Sequence, residues 1–216
     1  MGKGSPAPEN IYLARPESGI RGGVLVLHAW WGLNRFFRGF CDRLSREGFL
    51  ALDLYHGATA STVEEAKVLR ARLKGDTVAR EITQAAVHLQ TLCGPGHPGI
   101  GVVGFSLGGY WGLWLAEQET SPLRATVVFY GSRNGDYAAS PSAFQFHLAE
   151  SDDYVAASGV KKMRQSLQAA GKEAEFHTYA GTGHWFFEAD RPDAYDAPAA
   201  ELAWSRTLEF LKKHIG

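Results

Sequence analysis

The chain has 216 residues, a net charge of −1, an ordinary apolar fraction of 45% and two cysteines. That is enough length for one well-buried domain, and the near-neutral balance argues against nucleic acid or an anionic membrane as partner. Cys41 and Cys93 stand apart from each other and from any histidine cluster, so neither a zinc site nor a disulfide framework is expected, and no metal or cofactor is called for. Residues 1–9 are rich in Gly, Pro and polar side chains and read as a flexible tail without the apolar core of a signal peptide. No apolar run reaches the roughly 18 residues of a membrane span, and a cytoplasmic protein is expected.

From residue 10 to 216 a single domain is expected. Asn10–Ala14 alternates weakly and is a candidate strand, followed by a turn over Pro16–Gly22. Gly23–His28 is nearly unbroken in apolar character, as a strand covered on both faces must be. Leu33–Glu47 has helical spacing, with Phe37, Phe40, Cys41 and Leu44 on one face, and Gly48 should end it. Phe49–Leu54 is a second buried strand. Val63–Leu73 reads as a surface helix with acids early and bases late. Asp76–Thr77 are placed to cap a helix running to Leu92, and Gly94–Pro98 breaks it. Strands are expected at Gly99–Val103, Arg124–Tyr130, Ala143–Ala149 and Glu173–Tyr179, and helices at Tyr110–Gln118, Ser158–Ala170 and Pro198–His214. On the last helix Leu202, Leu208, Phe210 and Leu211 are available for the core. Alternating strands and helices predict an α/β fold with a mostly parallel, open, twisted sheet and helices on both faces. The short connections leave no room for a large cap domain.

In such sheets ligands bind beyond the carboxyl ends of the strands, so the polar residues at those ends matter most. Gly104-Phe105-Ser106-Leu107-Gly108-Gly109 lies between a strand and a helix, the setting of a nucleophile elbow of the form G-x-S-x-G. A serine hydroxyl needs a base, and the base needs a carboxylate to hold its tautomer. Of the eight histidines, His184 lies in a glycine-rich loop after a strand and well after Ser106. His56, His88 and His97 precede the serine, His147 and His177 lie inside strands, and His214 is near the end. The acid is sought in Glu150–Val155, where Asp152 stands three before Val155; Asp153 is the alternative and Glu150 a remote one. Ser106, Asp152 and His184 then follow in the chain order of the α/β-hydrolase triad. The backbone N–H groups of Leu107 and Trp30 are the candidate oxyanion donors. His28 is either part of that loop's support or a plain structural residue. Trp30, Trp31, Phe36, Tyr55, Trp111, Trp185, Phe186 and Phe187 are candidates for the substrate pocket.

The ordered set of motifs resembles the dienelactone hydrolase family. The likeness is carried by His28–Asn34, Ala51–Tyr55, Gly104–Gly109, Asp152–Val155, Gly183–Phe186 and Ala203–Leu211. The resemblance implies a capless α/β-hydrolase that opens small esters or lactones without a metal, with Ser106, Asp152 and His184 as triad and Leu107 and Trp30 as oxyanion donors. It also marks three departures. Members that cleave dienelactones carry cysteine where this chain has Ser106, glutamate where it has Ala29, and arginine where it has Glu188. The first two fit together as a change to serine chemistry. A glutamate near the mouth would repel an anionic substrate, so neutral or apolar esters are expected. A serine hydrolase working through an acyl-enzyme follows, acting on small molecules as a monomer or small homo-oligomer. A thioesterase, acyltransferase or peptidase with the same residues, or a ligand-binding domain without catalysis, remains open at this point.

Overall fold

The computed structural model describes residues 11–14, 22–44, 49–52 (backbone only) and 54–216. The expected tail over 1–9, most of the turn before Gly22, the helix end at Gly48, and Asp53 lie outside the described residues. Among the described residues, seven strands form one sheet: β1 (Ile11–Ala14), β2 (Gly23–Leu27), β3 (Phe49–Leu52), β4 (Ile100–Phe105), β5 (Leu123–Phe129), β6 (Ala143–Ala149) and β7 (Ala174–Tyr179). Their spatial order is β1-β3-β2-β4-β5-β6-β7, and all neighbours are parallel except β1 with β3.

The two-sided burial read from the apolar runs is present. Val24, Val26, Val103 and Phe105 face α1 (Arg35–Leu44) and α6 (Ala197–Ile215). Their neighbours Leu25, Leu27, Ile100 and Val102 face α3 (Gly75–Cys93), α4 (Leu107–Glu117) and α5 (Ala157–Ala169) on the other side. Alternation at period two puts successive side chains into different cores, so both must be apolar. α2 (Val63–Arg72) begins on a capping box, Thr62 with Glu65.

Three details differ from expectation. α3 starts at Gly75 behind an uncapped Lys74, so Asp76 and Thr77 lie inside its first turn instead of capping it. α4 begins at Leu107, three residues before Tyr110, because the turn at Ser106 leads straight into helix. Leu202 is 47% exposed, because the buried stripe of α6 runs through Ala200, Ala203, Trp204, Thr207 and Leu211.

From β2 the chain crosses through α1 to β3 on one side, then returns through α2 and α3 to β4 on the other. The sheet's switch point therefore lies between β2 and β4. The loops leaving these strands diverge there and open a crevice.

Candidate active site

Ser106 sits at that crevice, on the residue joining β4 to α4. Its φ of +51° and ψ of −107° are rare for a residue with a side chain, a strain of about 1–3 kcal/mol that the surroundings must hold. They do so by close packing. A Cβ on Gly104 would overlap the carbonyl of Gly108, and one on Gly108 would overlap the carbonyl oxygen of Leu27 and stand 2.7 Å from that of His28. The start of α4 is thus pressed against the end of β2. The Ser106 N–H donates to the Phe129 carbonyl at 3.0 Å, which ties the elbow to β5.

The structure brings the three expected polar residues together. Ser106 Oγ lies 2.9 Å from His184 Nε2, and His184 Nδ1 lies 2.9 and 2.8 Å from the two oxygens of Asp152. A carboxylate only accepts, so Nδ1 carries the proton and Nε2 is free to accept from the serine hydroxyl. Asp152 Oδ1 also accepts from the N–H groups of Tyr154 and Val155, both at 2.9 Å. This is the physical content of the D-x-x-V spacing: the acid caps its own turn while pointing at the imidazole. Asp153 is exposed, and Glu150 is used by the Gly181 N–H at 2.8 Å. The His184 ring packs on Tyr130, Tyr154 and Trp185 at centroid distances of 4.9, 5.0 and 4.9 Å.

His28 is fully buried. The Leu54 N–H donates to its Nε2 at 3.0 Å, so Nδ1 is the protonated nitrogen and donates to the Ala29 carbonyl at 2.6 Å. Its work is to hold the loop after β2, which carries Trp30. Trp30 and Leu107 both border the cavity at Ser106.

That cavity measures about 510 Å³ and is walled by Trp30, Leu73, Tyr110, Trp111, Tyr154 and Val155. Among the described residues lining it, Arg70 is the only charged one. Of the eight candidate pocket residues, Trp30 and Trp111 line this cavity, and Trp31, Phe36, Tyr55, Trp185, Phe186 and Phe187 do not. Tyr55 borders a separate cleft of about 230 Å³ between α2 and α3. Trp31 and Trp185 face a groove on the other side of His184, where the Arg191 guanidinium stacks 3.7 Å above Trp31. Phe186 is fully buried against Tyr130 and Tyr179. The actual walls come from the ends of α2 and α4 and from the two residues after Asp152. Adjacency to Asp152 was the available signal for Tyr154 and Val155; Arg70 and Leu73 had none, because their approach depends on how α2 packs.

Glu188 also lies elsewhere than expected. It is fully buried behind His184, not at the mouth, and accepts a 2.6 Å hydrogen bond from the Tyr130 hydroxyl. Loss of hydration pushes its carboxyl up to about 8, against a smaller lowering by the Tyr130 bond. It does not line the cavity and so does not meet a substrate there. Among the described residues no group of three or more His, Cys, Asp or Glu is arranged to hold a metal, and no helix is long and apolar enough to cross a membrane.

Comparison with known proteins gives the family and the fold. The dienelactone hydrolase family matches residues 10–215. A protein of Aquifex aeolicus (strain VF5), provisionally named carboxymethylenebutenolidase, is 30% identical over 94% of this chain and 93% of its own length. A Bradyrhizobium protein, provisionally named 2-oxo-3-(5-oxofuran-2-ylidene)propanoate lactonase, is 29% identical over 94% and 89%. The crystal structure of P91, a dienelactone hydrolase-like promiscuous phosphotriesterase from metagenomic libraries, superposes with a TM-score of 0.81 at 23% identity, covering 93% of this chain and 89% of P91. With a family match over nearly its whole length and a fold that agrees, the chain belongs to the dienelactone hydrolase family and is a carboxylic ester hydrolase of the α/β-hydrolase fold.

Proposed function

We propose that this enzyme is a serine hydrolase that opens small carboxylic esters or lactones through an acyl-enzyme on Ser106. The observation that carries the reading is the unbroken hydrogen-bond series Ser106–His184–Asp152 beside an accessible cavity. Ser106 Oγ attacks the ester carbonyl as His184 Nε2 takes its proton, and Asp152 stabilises the imidazolium that forms. The carbonyl oxygen, now negative, is held by the N–H groups of Leu107 and Trp30, each contributing about 3 kcal/mol. The first of these also sits at the positive end of α4. Collapse of the tetrahedral species breaks the bond to the alcohol oxygen, which leaves with the proton from His184. In a lactone that alcohol stays attached at the far end of the acyl group. Water, deprotonated by His184, then attacks the acyl-enzyme, and Ser106 leaves with the proton. A panel of short esters, thioesters and lactones tests the reading. Ser106→Ala is expected to lower turnover by roughly 10³-fold or more, and near-normal turnover would remove Ser106 from the chemistry.

Arg70 favours a second reading of the substrate. The expectation of neutral esters rested on a glutamate at the mouth, and Glu188 is not there. With Arg70 the one charged residue among the described residues lining the cavity, an ester or lactone bearing a carboxylate is the better fit. The Bradyrhizobium relative's name, a propanoate lactonase, is of that class.

A further inference from the structure

We infer that Glu188 is a positioning residue for His184: through the Tyr130 hydroxyl it fixes the aromatic wall on which the imidazole rests. The inference rests on the reading of His184 as the base.

Tyr130 follows the last residue of β5, at the carboxyl edge of the sheet. It is fully buried and has φ of +37°, a conformation that a bulky side chain does not adopt unless its surroundings hold it there. Two bonds do so. Its N–H donates to the His147 carbonyl at 2.8 Å, and its hydroxyl donates to Glu188 Oε1 at 2.6 Å. Its ring meets His184 at 4.9 Å and 58°. Glu188 belongs to the same loop as His184, four residues on. Its own N–H donates to the Trp185 carbonyl, and its carbonyl accepts from the Arg191 N–H, both at 2.9 Å.

The contacts therefore close a circuit. The loop carries His184, His184 lies on Tyr130, and Tyr130 is bonded back to the same loop through Glu188. Asp152 fixes one nitrogen of the imidazole, which alone leaves the ring free to pivot about that bond. A fixed aromatic neighbour removes the pivot and keeps Nε2 on Ser106 Oγ. Tyr154 and Trp185 also touch the ring, but Tyr154 is 48% exposed and Trp185 only half-buried, whereas Tyr130 is fully buried.

The chemistry of Glu188 suits a clasp rather than a charge. It is fully buried, and its Oε2 has no hydrogen-bond partner among the described residues. An ionised carboxylate so placed would be costly. A carboxyl that keeps its proton removes the cost and still offers Oε1 to Tyr130. Glutamine supplies the same acceptor without ionising.

The test measures the rate at which a fluorophosphonate phosphonylates Ser106, together with kcat and KM for a short ester. The proteins are wild type, Glu188→Ala, Glu188→Gln and Tyr130→Phe, with Ser106→Ala as control. Glu188→Ala and Tyr130→Phe are each expected to slow labelling and lower kcat by roughly ten- to a hundredfold, with KM little changed. Glu188→Gln is expected to keep about a third or more of both rates. The low-field proton signal of the His184 Nδ1–H should survive in Glu188→Gln and broaden in Glu188→Ala. If Glu188→Ala does not fold, Tyr130→Phe decides alone. Wild-type labelling in Tyr130→Phe, or in folded Glu188→Ala, overturns the inference while leaving the proposed function standing. So does an equal loss in Glu188→Gln and Glu188→Ala. A fully active Ser106→Ala instead overturns the proposed function, and this inference with it.

Discussion

Asp152 faces Nδ1 of His184 with both carboxylate oxygens, at 2.9 and 2.8 Å, while Asp153 beside it is exposed. The two neighbours are thus sharply separated in role. Asp152→Asn replaces a pure acceptor with a group that can turn an N–H toward the ring and trap the wrong tautomer. It is expected to lower kcat by about 10³- to 10⁴-fold. Asp153→Asn changes an exposed side chain and should stay within roughly twofold of wild type. Steady-state kinetics on one ester distinguishes them, and the opposite ranking would move the acid by one position.

Arg70 should set a preference for charge and not the rate of chemistry, since it lines the cavity from an exposed position. An exposed pair of this kind contributes up to about 1 kcal/mol. Arg70→Gln is therefore expected to lower the kcat/KM ratio of a carboxylate-bearing ester to its neutral analogue by roughly fivefold, mostly through KM. Raising the salt concentration should shrink the wild-type preference in the same direction. An unchanged ratio in the mutant rules out Arg70 as the carboxylate's partner.

The elbow's glycines make a stability prediction. A Cβ at Gly108 would overlap the Leu27 carbonyl, which is backbone and cannot swing aside. At Gly112, one turn along the same helix, the nearest atom would be Val102 Cγ2 at 3.4 Å. Gly108→Ala should cost on the order of 3 kcal/mol and abolish activity, because α4 must lift away from β2 and take the Leu107 N–H with it. Gly112→Ala should be neutral or stabilising by up to about 1 kcal/mol. Thermal unfolding of the two variants gives the comparison, and similar melting temperatures would refute it.

Glu188 predicts a slope of stability with pH. Its folded carboxyl is raised from near 4.5 to about 8 by burial, with Asp190 raising it further and Tyr130 and Arg191 opposing. Between those values the folded state binds a proton that the unfolded chain has released. Stability therefore falls as pH rises through this window, by up to about 1.4 kcal/mol per pH unit, and levels off above it. Glu188→Gln should flatten the curve between about pH 5 and 8. Parallel curves for mutant and wild type would mean that Glu188 is ionised in the folded state throughout.

Much of this was readable in the chain because it depends on local rules. A strand covered on both faces has to be apolar at every position, and Gly23–Leu27 and Ile100–Phe105 are. The elbow needs glycine where backbones meet, and Gly104 and Gly108 stand at those points. The residues Ser106, Asp152 and His184 each follow a strand, and parallel strands deliver their ends to one edge.

The placements that the chain did not reveal share a cause. Tyr55, Phe186, Trp31 and Trp185 are aromatic residues near the motifs, yet proximity in sequence does not say which way a loop side chain turns. Trp185 has φ of +68°, and its ring packs behind Trp30 and Tyr154 and borders the groove with Trp31, while Phe186 is fully buried. Glu188 shows the same limit for charge. A glutamate in a loop is expected in water, and burial against Tyr130 comes only from packing across residues 58 positions apart.

The strand–turn–helix setting of Ser106 and the order of the three polar residues were determined by sequence alone, because spacing and residue type dictate them. The tertiary structure alone decided which aromatics wall the cavity, that Arg70 and not Glu188 meets it, and that Glu188 is bonded to Tyr130 beneath the imidazole. Those relationships are between side chains from different elements, and their sign and strength depend on solvent exposure. A local pattern specifies neither.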